Sequence, residues 1–226
     1  MIRAIVFDAG NTLLEMDYPL IAAQLRLRGH GVTEARVADA ERRARVRLDE
    51  ERAAQPARER TGSGRYFRYL LTNLGIDDDG ELAALTRWRR GFNLPIGLCH
   101  RANPEAVAAL SRLRAARIVT GVISNSNGSV RRSLERVGLA VHFDFIVDST
   151  LAGMSKPDPR IFRLGLAAAR VEAGDAAYVG DSYFVDVLGS RAVGMRGVLF
   201  DPGGVWGPRD CPRAHGLSEA VEHAMA

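Results

Sequence analysis

The sequence has almost no lysine. Of its 226 residues, 31 are lysine or arginine, and Lys156 is the one lysine among them, so every other fixed positive side chain is an arginine. Cysteine is nearly as scarce: Cys99 and Cys211 are the two in the chain. A pair so far apart builds neither a disulfide scaffold nor a cysteine metal cage, and a chain of this length buries enough surface to fold without staples. The pair fits a reducing, cytoplasmic setting. Long apolar runs are absent. None approaches the roughly 18 residues of a membrane span, and the apolar stretch Ala4–Phe7 meets Asp8 at once, unlike a secretory leader. A large charge of one sign is missing too, since 31 basic against 27 acidic residues leave a formal +4. The arginines are scattered as solvated helix faces scatter them. The expectation is therefore no nucleic-acid partner and no membrane partner.

What is present falls into three textures. A short apolar strand, Ile2–Phe7, ends in Asp8-Ala9-Gly10-Asn11-Thr12. From about Glu15 to Leu98 the pattern is helical throughout, with apolar residues at helical spacing among dense Arg and Glu, and breaks at Thr61–Gly64 and Asp77–Gly80. From Asn103 onward helices and apolar strands alternate. Strands are expected at 118–123, 145–147, 177–179 and 197–200, and helices at 103–116, 127–137, 159–170, 183–193 and 217–225. Strands apolar on both faces and alternating with helices imply a buried parallel sheet. A crossover needs only a dozen or so residues, and the helical stretch is far longer. The economical reading is an α/β, Rossmann-like parallel-sheet core, residues 1–14 and 100–226, with an all-helical cap domain, residues 15–99, inserted after its first strand.

In open α/β sheets ligands bind beyond the C-terminal strand ends. Polar clusters sit at those ends: Asp8, then Ser124-Asn125, then Lys156 with Asp158, then Gly180-Asp181 with Asp186 close behind. Folding gathers carboxylates, a hydroxyl and one ammonium in one crevice. Clustered carboxylates need a cation, oxygen ligands suit Mg²⁺, and a carboxylate beside a bound phosphoryl group can attack it.

In order and placement these residues resemble the haloacid dehalogenase superfamily. Asp8 and Thr12 match its first motif, Ser124 the second, Lys156 the third, and Asp181 with Asp186 the fourth. A helical cap inserted after the first motif is the family's habit. The resemblance implies a Mg²⁺-dependent phosphatase acting on a small phosphorylated metabolite through an aspartyl-phosphate at Asp8. It implies metal ligands Asp8, Asp181, Asp186 and the backbone carbonyl of Gly10, phosphate contacts from Ser124, Asn125 and Lys156, and catalytic roles for Asp8, Ser124 and Lys156.

One position departs from the pattern. Phosphatases of the family carry a second Asp two residues after the nucleophile, as general acid and base; here that position is Gly10. Glu15 or Asp17 could substitute, or be simple surface residues. The alternatives are a 2-haloacid dehalogenase-like hydrolase and a noncatalytic member that binds a phospholigand or a protein. Phosphonoacetaldehyde hydrolases need a cap lysine, and this stretch has none. Within the cap, Tyr18, Arg65, Tyr66 and Arg68 flank turns and are candidates for substrate choice, though cap core and solvated face are the favoured account of them. Arg42, Arg43, Arg45 and Arg47 read as an exposed helix face, and Trp206 as a loop residue packed on the core. An amphipathic cap could also pair two chains as a homodimer.

Overall fold

The computed structural model describes residues 1–55, 63–93 and 97–226; Thr61 and Gly62 of the first expected break lie outside them. Backbone contacts divide the chain into two units, residues 1–15 with 99–226 and residues 16–98. The sequence reading draws the division one residue away at each junction.

The first unit is built on a six-stranded sheet: β1 (Ala4–Phe7), β4 (Val119–Ser124), β5 (Phe145–Asp148), β6 (Ala176–Gly180), β7 (Arg196–Phe200) and β8 (Arg213–Ala214). A two-stranded sheet pairs β2 (Leu14–Met16) with β3 (Cys99–Ala102). The six-stranded order is β5-β4-β1-β6-β7-β8, and each neighbouring pair of strands in it is parallel. Side chains alternate across a strand. Ile5 and Phe7 therefore join one buried cluster with the helices Ala106–Ala115 and Leu217–Met225, while Ala4 and Val6 join another with Ile161, Phe162 and Tyr178. From β1 the chain passes to β4 and β5 on one side and returns to β6 on the other. That reversal beside β1 is the switch point where such sheets open a crevice.

Several expected boundaries move for identifiable reasons. The helix anticipated from Asn103 starts at Ala106. Asn103 instead donates Nδ2 to the Thr12 carbonyl at 3.0 Å and accepts the Glu105 N–H on Oδ1 at 2.9 Å, so it fastens the loop after β1 to the following turn. The helix expected at 183–193 is a π-helical segment, Tyr183–Leu188, followed by one α-turn. Its first turn is widened because the Ser182 carbonyl accepts both the Asp186 and the Val187 N–H, at 3.1 and 3.2 Å.

The second unit is helical over its described residues: Tyr18–Leu27, Glu34–Ala54, Ser63–Asn73 and Asp79–Asn93. Asp17 caps the first of these by accepting the Leu20 N–H at 2.9 Å, the ordinary N-cap geometry. The expectation of four exposed arginines on the second helix holds at Arg43 and Arg47; Arg42 is half-buried, and Arg45 is 8% exposed and paired with fully buried Glu41 at 2.8 Å. A buried charge must be saturated with partners. Glu41 accepts Arg45 Nε and Nη2, Tyr18 OH at 2.8 Å, and Tyr66 OH. Two residues considered for substrate choice thus spend their hydroxyls inside this unit. No described helix is long and apolar enough to cross a membrane.

Gly197 on β7 faces the π segment. A Cβ there would come within 3.0 Å of the Val187 carbonyl oxygen and 3.1 Å of its Cα, which are backbone atoms that cannot swing aside. Gly197→Ala should therefore lower stability by about 1–3 kcal/mol through overpacking, read as a lower urea midpoint; an unchanged midpoint would show that the π segment yields freely.

Candidate active site

The residues singled out in sequence lie along one end of the sheet. Asp8 follows β1, its N–H bonded to the Val179 carbonyl of β6 at 2.9 Å. Ser124 ends β4, and Asp181 follows β6 directly. Asp186 projects from the π segment. Gly180 permits this approach, because a Cβ there would sit 2.4 Å from Asp186 Oδ2. Each of Asp8, Asp181 and Asp186 offers a carboxylate oxygen within 4.8 Å of the others, and all three residues are buried.

Lys156 binds this group together. Its Nζ lies 2.7 Å from Asp8 Oδ1, 2.8 Å from Asp186 Oδ1 and 2.7 Å from Tyr178 OH. The contacts with Asp8 and Tyr178 are hydrogen bonds, and that with Asp186 is an ion pair. Tyr178 in turn donates its hydroxyl hydrogen to the Ile123 carbonyl at 2.7 Å, one residue before Ser124. One phenol thus connects the ends of β4 and β6 to the lysine. Sequence reasoning passed over Tyr178 as strand filling. The available signal was a hydroxyl in an otherwise aliphatic buried strand, which needs a partner.

Asn125 is also assigned a task that its position did not reveal. Its Nδ2 donates to the Lys156 carbonyl at 2.9 Å and its Oδ1 accepts the Lys156 N–H at 2.8 Å. Both ends of the amide hold the backbone of the lysine. Buried Asp148 organises the loop after Ser124, accepting the N–H groups of Gly128, Val130 and Thr150. The hydroxyl of fully buried Thr12 makes no hydrogen bond among the described residues, and neither does Asp186 Oδ1, whose contact with Lys156 Nζ at 2.8 Å is an ion pair. Gly10 lies in the turn after β1, bridged to Leu14. A Cβ built on it would meet one atom within 4 Å, Cys99 Sγ at 3.9 Å, so no side chain fills the place of the missing acid.

The electrostatics follow from burial. Asp8 is pushed from the ordinary 3.8 up to about 6, by desolvation above all; Lys156 opposes the rise and Asp186 adds to it. Burial would lower Lys156, but Asp186, Asp8 and Tyr178 outweigh it and hold the ammonium well above its usual range. Tyr178 is raised, chiefly by burial, and stays a neutral donor. Formally, three carboxylates against one ammonium leave two negative charges in a buried space. The donor set is all oxygen and all hard, which fits one dication of the Mg²⁺ class.

Comparison with known proteins bears on the family. Residues 2–194 match the model of the haloacid dehalogenase-like hydrolase family. A bovine (Bos taurus) haloacid dehalogenase-like hydrolase domain-containing protein 3 is 46% identical over 120 residues, which cover 53% of this chain and 46% of that protein. A phosphoserine phosphatase from Thermus thermophilus is 40% identical over 154 residues, covering 66% of this chain and 57% of that protein. The match therefore spans about half the length of these curated relatives. A solved 2-haloacid dehalogenase from Pseudomonas syringae superposes with a TM-score of 0.58 at 28% identity, covering 98% of this chain and 97% of that one. Four motif positions at one end of a parallel sheet, together with a family match over most of the length, place this chain in the haloacid dehalogenase-like hydrolase family.

Proposed function

We propose that the protein is a cytoplasmic Mg²⁺-dependent phosphatase of small phosphorylated metabolites, working through an aspartyl-phosphate at Asp8. The observation that carries this reading is the buried group of Asp8, Asp181, Asp186 and Lys156, with its two uncompensated negative charges. Asp8, Asp181, Asp186 and the Gly10 carbonyl would hold the metal, which supplies charge neutralisation to the transferring phosphoryl group. The Asp8 carboxylate attacks phosphorus and the bond to the leaving oxygen breaks. Water then attacks the phosphorus of the acyl phosphate, releasing phosphate and restoring the carboxylate. Ser124, at the end of β4, donates to a phosphoryl oxygen. Lys156 fixes Asp8 and presents positive charge to the same group. The helical unit, residues 16–98, serves as the cap that selects the substrate.

The empty place at Gly10 shapes the chemistry. With no acid to protonate the departing oxygen, substrates whose leaving groups depart without help are favoured: aryl and acyl phosphates over simple alkyl esters. The same gap favours a second reading, halide displacement, in which Asp8 attacks the carbon bearing the halogen and water cleaves the resulting ester. The likeness to the Pseudomonas syringae dehalogenase supports that alternative, while the surplus of buried negative charge opposes it. Multiple-turnover assays on a panel of phosphate esters and on 2-chloropropionate, with and without Mg²⁺, separate the two. Turnover of the haloacid alone would overturn the phosphatase reading, and turnover of neither would leave a binding protein.

Asp8→Asn should abolish turnover and, without divalent cation, make the protein more resistant to heat. The folded state binds the Asp8 proton more tightly than the unfolded chain does, at about 6 against 3.8. Stability is therefore lost as pH rises through that window, and at neutral pH the charged carboxylate is a cost that Asn removes. The melting temperature of the variant should exceed that of the parent at about pH 7.5, with the gap closing below about pH 4; a gap that persists in acid would refute the assignment. Lys156→Arg keeps the charge but cannot place a planar fork on three diverging acceptors. It should lose on the order of a hundredfold in kcat, and full retention would show that charge alone suffices. Gly10→Asp should raise turnover of alkyl phosphates by on the order of 10²-fold or more, with a much smaller gain on an aryl phosphate. Equal gains on both would mean that the leaving group is already protonated by another acid.

A further inference from the structure

The loop after β7 reaches back to the site. Trp206, 2% exposed, donates its indole Nε1–H to the backbone carbonyl of Asp181 at 3.1 Å. The N–H side of the same peptide unit, that of Ser182, donates to Asp186 Oδ2 at 3.1 Å. The single peptide plane between Asp181 and Ser182 is thus held at both ends, by the indole on one side and by a carboxylate of the site on the other. Gly180, immediately before it, adds no side chain to hold the plane in place.

The indole itself is firmly mounted. Asp201, 1% exposed, accepts the Val205 N–H at 3.0 Å on one carboxylate oxygen and the Trp206 N–H at 3.2 Å on the other. Arg213 Nη1 lies 3.7 Å from that second oxygen and donates to the Gly207 carbonyl at 2.7 Å. His215 Nδ1 lies 2.8 Å from the Asp201 carbonyl oxygen. From the same loop, the guanidinium of Arg209 lies 5.6 Å from the centre of the Trp206 ring and 5.3 Å from that of Tyr183. Packing alone would be served by any large apolar side chain. A buried indole N–H aimed at one carbonyl is a directional constraint, and leaving that carbonyl unpaired would carry a desolvation penalty.

We propose that Trp206 is a positioning residue for metal binding: by clamping the 181–182 peptide it aims the Asp181 carboxylate at the point shared with Asp8 and Asp186. This rests on the reading of Asp181 as a metal ligand. Partners that orient a ligand are worth about 10–100-fold in metal affinity, and a bond through the ligand's backbone belongs at the lower end.

The test is calorimetric titration of Mg²⁺ into the substrate-free protein, with melting temperatures recorded alongside. Trp206→Phe keeps an aromatic ring and removes the N–H; it should weaken Mg²⁺ binding about tenfold. Asp181→Asn should weaken it further. Val198→Ala, a truncation at a fully buried position of β7, should lose stability while keeping the parent affinity. Parent-like affinity in Trp206→Phe, with Asp181→Asn impaired, would overturn the positioning role and leave the metal site standing. Parent-like affinity in Asp181→Asn would remove the site reading and this inference with it. Equal weakening in Trp206→Phe and Val198→Ala would reduce Trp206 to a packing residue and overturn the proposal.

Discussion

One buried ammonium organises the core unit. Lys156 meets an acceptor after β1, another on the π segment and a third within β6, and each element is placed where it can supply its share. Withdrawing that ammonium would strand the surrounding carboxylates in a dry environment, at a cost of about 3–5 kcal/mol. This explains why so much around the lysine is itself tied down: its backbone by Asn125, Tyr178 by the Ile123 carbonyl, and Asp186 by the Ser182 N–H. The members of the group are each held by further hydrogen bonds. It is also short of positive charge, and that combination suits a site that must accept a cation and an anionic group together.

The helical unit handles a buried charge differently. There Arg45 meets Glu41 from the same helix, one turn away, through two nitrogens and two oxygens. A planar fork fits a planar carboxylate. At Lys156 the three partners come from three elements and converge on a single nitrogen, so a compact ammonium on a flexible stem suits the place. The chain uses arginine at every other fixed basic position, and its one lysine stands where three partners meet a single nitrogen.

Some of this was legible and some was not, for reasons that differ by residue. β1, β4, β6 and β7 announce themselves because strands buried on both faces are continuously apolar. β2, β3 and β8 have no such pattern, being short and only partly buried. The π segment carries a helical pattern, and only the double use of the Ser182 carbonyl distinguishes it. Arg45 has the same local sequence as its exposed neighbours; its burial depends on Tyr18 and Tyr66, which are distant in sequence. Asn103 looks like a helix cap until the loop after β1 is seen to need it.

The sequence by itself determined the kinds of chemical group, their order and the strand ends that carry them, because strand ends and loops are written in local patterning and the motif residues are unusual for their settings. It also marked the lone lysine and the glycine where an acid would stand. Tertiary structure decided which groups share a proton or a carbonyl: the phenol under the lysine, the amide along its backbone and the indole behind Asp181. Such contacts join residues dozens of positions apart through side-chain atoms a few ångströms long. Their existence depends on the register and twist of the sheet, which no local pattern encodes.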